Sequence, residues 1–202
     1  MELYEFGPTR ANRVRWLLKE LDLEFDSKLV NLTKGEQFSP EFLEICPTGK
    51  IPVLKDGDFS LFESVAICHY LAEKYNDKKL IPQSATLERA KYDQWVLFCV
   101  NEIEGQLWIR ERHSWIYPEN KRSALAVEMA TEEFHKAAKI LDHEMTNKSY
   151  IIDNKFSVAD IIIGYTLNWA NSRDLLASYT QLTRYLAALK DRPAYPHEMY
   201  RQ

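Results

Sequence analysis

The sequence predicts an α/β domain of order βαβ-ββα over residues 1–78, a linker over 79–86 and an all-helical domain over 87–202. Three observations carry this reading. Short strand-like runs alternate with helical periodicity only before residue 79. A polar stretch containing Pro82 then interrupts both patterns. From Leu87 onward, apolar residues recur at helical spacing alone.

The first domain reads in order. Glu2–Phe6 is a strand candidate closed by a Gly7-Pro8-Thr9 turn. Val14, Leu17, Leu18 and Leu21 recur at i, i+3, i+4 and i+7, which is one face of a helix. Glu24–Val30 is a second strand, and a strand–helix–strand opening implies a parallel pair. Ser39-Pro40 starts a short helix through Ile45, with proline in the first turn, where its missing N–H costs nothing. Ile51-Pro52-Val53-Leu54 is a third strand, and Asp56-Gly57 is a tight turn that returns the chain through Phe59 to Phe62. A helix runs from Ser64 to about Tyr75.

The second domain is predicted from apolar stripes. Trp95, Phe98, Cys99, Ile103 and Leu107 line one face of a long helix, and the mixed charges from Arg110 to Arg122 read as its solvated end. Ala130, Phe134, Ala137, Ala138, Leu141 and Met145 line a second helix. Ser157-Val158-Ala159-Asp160 has capping-box spacing, with Asp in place of the usual Glu. It opens a run from Ile161 to Trp169 that is apolar nearly all round, which predicts a helix at the bundle centre. Leu182, Tyr185, Leu186 and Leu189 make a last helix that stops before Pro193.

Composition excludes several function classes. A hydrophobic content of 46% with five tryptophans supplies a substantial core, and the net charge of −4 argues against general nucleic-acid binding. Met1-Glu2-Leu3-Tyr4-Glu5 carries acid where a secretory leader would be basic, and no apolar run approaches the roughly 20 residues of a membrane span. Cys46, Cys68 and Cys99 are an odd, widely spaced set, which fits buried apolar fillers in a reducing compartment. The five histidines lack the i, i+4 spacing of a helical metal site, so no metal is expected.

The stretch from Cys46 to Ser64 reads as a unit built to hold a small peptide. Pro52 cannot donate to a sheet ladder, so it belongs at an edge or at a strand's start. It is also one of the few positions where a cis peptide is tolerable. We expect Ile51-Pro52 to be cis, turning the N–H and C=O of Ile51 outward to pair with a ligand's backbone. Glu63-Ser64 stands where the hairpin ends and a helix begins. Free amides at that helix start, beside a serine hydroxyl, suit a carboxylate.

Pro47-x-Gly49-Lys50-Ile51-Pro52, then Glu63-Ser64, then Ser157-x-x-Asp160, in this order and at these separations, resemble the cytosolic glutathione S-transferases of bacterial type. The resemblance covers essentially the whole chain. It implies a thioredoxin-like first domain binding glutathione as co-substrate without a metal, and a helical second domain contributing an electrophile pocket. Ile51, before a cis Pro52, would pair with the cysteinyl unit, and Glu63 and Ser64 would hold the γ-glutamyl end. Gln37 and Lys50 fall where several classes contact the glycyl carboxylate.

Three residues compete for the thiol. Thr9, counted back from Arg13, Val14 and Arg15, falls at the serine of the serine-type classes, and it is preferred here. Tyr4 falls at the tyrosine of the tyrosine-type classes. Asn12 is a donor at the helix start, as in bacterial relatives that act on disulfides. A hydroxyl donating to sulfur favours the thiolate, which is the nucleophile. With no cysteine at this position, a mixed disulfide through the protein's own thiol is not expected. Trp108, His113 and Trp115, with Tyr117, would wall the electrophile pocket; a core or dimer contact is the alternative. The implied protein is a cytoplasmic, homodimeric detoxification transferase whose partners are glutathione and a small electrophile, not nucleic acid or membrane. A glutathione-dependent disulfide or peroxide reductase, or a non-enzymatic regulatory protein on the same fold, are the other readings.

Overall fold

Four short strands order the N-terminal part of the chain: β1 (Glu2–Glu5), β2 (Asp26–Leu29), β3 (Val53–Asp56) and β4 (Phe59–Phe62). They form one mixed sheet in the order β2-β1-β3-β4, with β1 parallel to β2 and antiparallel to β3. The helices between them are α1 (Ala11–Glu20), α2 (Pro40–Ile45) and α3 (Ser64–Lys74), so the order βαβ-ββα holds. The computed structural model describes residues 1–197. They divide into one unit of Met1–Ile81 with the segment from Lys190 onward, and a second of Pro82–Leu189.

Alternation in β1 sends Leu3 and Glu5 into the interior, while β2 is an exposed edge strand along its whole length. The hairpin turn is Gly57-Asp58, one residue later than Asp56-Gly57. Asp56 pairs with Phe59, and Gly57 takes the positive φ of 64° that a two-residue turn demands of its first central residue. Helix α1 buries more than its expected stripe, because Arg13 and Trp16 are enclosed as well. Trp16 packs edge-on against Tyr195 at 4.9 Å, and Arg192 donates to both oxygens of Glu20 at 2.7 and 2.8 Å. These contacts draw the segment after Lys190 into the first unit, although its residues follow the helical domain in sequence. The end of the expected 87–202 segment, residues 198–202, lies outside the described residues.

The second unit is helical throughout: α4 (Leu87–Phe98), α5 (Gly105–Glu111), α6 (Ala124–Glu144), α7 (Val158–Asn171) and most of α8 (Thr180–Lys190). A π-turn at Cys99–Glu104 joins α4 to α5, and another at Arg112–Ile116 ends the long helix. The buried stripe of that helix is Tyr92, Val96, Cys99, Ile103 and Leu107. Trp95 and Phe98, expected on it, are only half-buried and stack edge-on against each other at 5.4 Å. The steps along this stripe are of three and four residues, on either side of the 3.6 residues of an α-turn, so one face stays buried through the π-turn.

The remaining helices bury the faces read from sequence. All six expected residues along α6 are enclosed, as are Leu182, Tyr185, Leu186 and Leu189 of α8. Helix α7 is buried on nearly every side. Its cap is a hub: Asp160 accepts from the Ser157 and Ile151 amides at 2.8 and 2.9 Å and from the Tyr185 hydroxyl at 2.5 Å.

Candidate functional site

The strand register gathers the predicted residues at one end of the sheet. Tyr4 pairs with Val53, and Val53 with Phe62. One step further, Pro52 and Glu63 stand at the same sheet end, followed by Ile51 and Ser64. Strand β1 leaves from that end into the loop that carries Thr9 and into the first turn of α1, which carries Asn12 and Arg13.

Ile51-Pro52 is cis, as expected, and so is Gly7-Pro8 in the neighbouring loop. Neither the N–H nor the C=O of Ile51 has a backbone partner among the described residues. Ser64 opens α3 with 3% of its surface exposed. The first backbone bond of this helix runs from the Ile67 amide to the Glu63 carbonyl at 2.9 Å, so the amides of Ser64, Val65 and Ala66 lie beyond the intrahelical ladder. Arg13, 1% exposed, donates from Nη1 to Ser64 Oγ at 3.2 Å. A buried guanidinium and a helix N-terminus thus meet at one serine, and both favour an anion. Sequence reasoning used Arg13 only to count to Thr9 and missed this part; the signal was a cation inside the apolar stripe of α1.

Glu63 holds an exposed side chain on a backbone of φ 70°, a left-handed conformation that a residue with a Cβ rarely adopts. One turn into α3, burial pushes the Cys68 thiol up to about 12 despite the charge of Arg13, so it stays protonated and unreactive.

The Gln37 and Lys50 segments lie together. Gly49 takes φ 60°, and a Cβ there would stand 2.9 Å from the Phe38 ring and 3.2 Å from the Gln37 carbonyl. Gln37 Oε1 is buried without a partner, while the Lys50 side chain is exposed. The Lys50 carbonyl accepts from the Cys46 thiol at 3.3 Å.

The three candidates for the thiol differ in what already engages them. Thr9 Oγ1 donates to the Phe6 carbonyl at 2.5 Å and accepts from the Ala11 amide at 3.3 Å, the pattern of a turn hydroxyl. Tyr4 points to the sheet face that carries α2, edge-on to Phe42 at 6.0 Å, and donates to Glu2 at 3.2 Å. Burial first, and the Glu2 charge second, hold its phenol above the usual tyrosine value. Asn12 is fully buried, and neither its amide nitrogen nor its oxygen has a hydrogen-bond partner. An enclosed amide in that state costs free energy until something pairs with it.

The aromatic residues expected at the second site are divided. Trp108 is half-buried and edge-on to Trp169 at 6.4 Å, and His113 is half-buried against Tyr117 at 5.1 Å. Trp115 is 58% exposed, with its indole N–H donated to Glu111 at 2.5 Å. The expected solvated helix end hides an ion cluster. Glu111, 1% exposed, takes both Nε and Nη2 of Arg173 at 2.9 and 2.8 Å, and Arg110 at 3.1 Å. Burial raises the Glu111 pKa, but the Arg173 and Trp115 hydrogen bonds outweigh it and hold the carboxyl below its ordinary value. Among the described residues no His, Cys, Asp or Glu group could hold a metal ion, and no helix is long and apolar enough to cross a membrane.

A β2-β1-β3-β4 sheet with cis Pro52 before its hairpin, followed by a helical domain, defines the thioredoxin-like class with a helical C-terminal partner. The family models of the glutathione S-transferase N-terminal and C-terminal domains match residues 1–73 and 94–193. The chain belongs to the glutathione S-transferase family. It is 32% identical to the disulfide-bond oxidoreductase YfcG of Escherichia coli, over 96% of this chain and 92% of that one. It is 30% identical to glutathione S-transferase F11 of Arabidopsis thaliana, over 94% of each chain. A crystal structure of a Pseudomonas putida glutathione transferase with glutathione disulfide bound superposes with a TM-score of 0.87. It shares 26% identity over 98% of this chain and 90% of its own.

Proposed function

We propose that the protein is a glutathione transferase, acting as a cytoplasmic homodimer in detoxification. The observation that carries this is the convergence, at one sheet end, of the unpaired Ile51 backbone with Ser64, backed by Arg13 at the start of α3. Glutathione presents the complementary groups in one extended molecule. Its γ-glutamyl carboxylate takes Ser64 and the α3 amides, and its ammonium takes Glu63. Its cysteinyl backbone pairs with Ile51, and its glycyl carboxylate takes Lys50 and Gln37.

The sulfur then lies beside the loop after β1. Thr9, by turning its hydroxyl from the Phe6 carbonyl to the sulfur, stabilises the thiolate and lowers the thiol's pKa. The thiol proton passes to solvent. The thiolate pair forms a bond to an electrophilic carbon held by the helical domain, and the leaving group departs with its own bonding pair. Most of the acceleration comes from holding the two reactants together and from the larger thiolate fraction. Phe59 and Phe62, 50% and 37% exposed on edge strand β4, supply apolar surface for a two-fold dimer.

The unpaired Asn12 amide supports a second reading, as does the kinship to an oxidoreductase of disulfides. In it, Asn12 holds a glutathione sulfur while that sulfur is displaced onto or from a disulfide. One comparison separates the two: turnover of an aryl halide, an organic peroxide and a mixed disulfide, each with glutathione. The transferase turns over the aryl halide; activity confined to the mixed disulfide or peroxide makes the protein a reductase.

A further inference from the structure

Arg112 lies one helical turn beyond Trp108, at the head of the second π-turn. Its guanidinium carbon stands 6.0 Å from the centre of the Trp108 ring and 5.5 Å from that of Tyr117. The side chain is half-buried and its Nε is enclosed without a hydrogen-bond partner. No carboxylate lies within ion-pair distance of it among the described residues. The neighbouring acid, Glu111, is taken by Arg173, Arg110 and Trp115. His113, whose ring packs edge-on with the same tyrosine, adds a second enclosed nitrogen, Nδ1, that has no hydrogen-bond partner. Arg122, another cation of this region, donates Nε and Nη2 to the carbonyls of Tyr117 and Trp115 at 2.8 and 3.0 Å.

A partly desolvated cation without a counter-charge, fixed between two flat rings, is a site for an anion carried on a flat apolar body. The rings take the body by stacking, and the planar guanidinium takes a carboxylate through paired N–H donors. We propose that the electrophiles of this protein are anionic aromatic compounds and that Arg112 is the residue that selects them. This rests on the transferase reading for the chemistry, but the anion site itself does not need it.

The test uses the full-length protein and an isosteric pair, 4-chloro-3-nitrobenzoate and 4-chloro-3-nitrobenzamide, with glutathione. Arg112→Met keeps the apolar stem and removes the charge. We expect its kcat/KM for the benzoate to fall about 10- to 100-fold, the scale of one charged hydrogen bond, while the benzamide changes less than about twofold. Arg112→Lys should recover part of the loss. An equal fall for both compounds would make Arg112 a purely structural clamp, and no fall would remove it from the site; either overturns the proposal. If the wild-type protein turns over neither compound, quenching of tryptophan fluorescence by 1-naphthoate and 1-naphthamide decides. Naphthoate binding that Arg112→Met abolishes keeps the anion site and rejects the transferase. Equal binding of the two probes rejects the anion site as well.

Discussion

At the scale of single residues, the site asks which groups touch glutathione and which only shape the backbone. Ser64→Ala removes the hydroxyl that receives Arg13 and should weaken glutathione binding by roughly 1–3 kcal/mol, measured by calorimetry. Glu63→Gly separates two roles. It removes the proposed ammonium partner and relieves a left-handed φ of 70°, so thermal stability should hold or rise while affinity falls. A stability loss would mean that the Glu63 side chain holds the strand–helix junction. Thr9→Val should leave affinity nearly unchanged but raise the bound thiol's pKa toward its free value near ~8.5, slowing turnover at neutral pH. Tyr4→Phe should do little, because Tyr4 packs on Phe42 and spends its hydroxyl on Glu2. If only Tyr4→Phe shifts the thiol's titration, the donor is Tyr4. If neither does, Asn12 is the group to test next.

At the scale of elements, α5 carries a buried charge in a helix that the sequence presents as amphipathic. Glu111 at the end of α5 is tied to Arg173 just past α7. Arg173→Met strips most of the compensation from a carboxylate that is 1% exposed, and it should cost about 3 kcal/mol in denaturant unfolding. The pH dependence has a definite sign. The folded Glu111 carboxyl sits below its ordinary value of 4.5, so its contribution is complete above that pH and is lost as pH falls through the lower folded value. In Arg173→Met this acid-side loss should shrink, because burial then dominates. This cluster was not legible in the sequence. Residues 110–122 are rich in charge, and only packing tells an enclosed glutamate from a solvated one.

At the scale of the whole molecule, the expected dimer is the quantity to measure. Sedimentation at micromolar concentration should give twice the 23.7 kDa chain mass. Phe62→Lys places a charge on the edge strand and should shift that equilibrium toward monomer, with the fold intact by circular dichroism. A wild-type protein sedimenting as a monomer would remove the dimer from the proposed function.

Sequence alone determined the order of elements, because periods of 2 and 3.6 are local properties of a chain. The buried faces of α6 and α8 and the central burial of α7 were legible for the same reason, and the cis bond at Pro52 from the local chemistry of proline at a strand's start. So was the pairing of Glu63 with Ser64 at a strand–helix junction. What depends on residues distant in sequence was decided by tertiary structure. Arg13 meets Ser64 across 51 positions, and Glu111 meets Arg173 across 62. Tyr195 returns to Trp16 from the far end of the chain. Enclosure of a charge is a property of every element packed around it, so no window of sequence contains it.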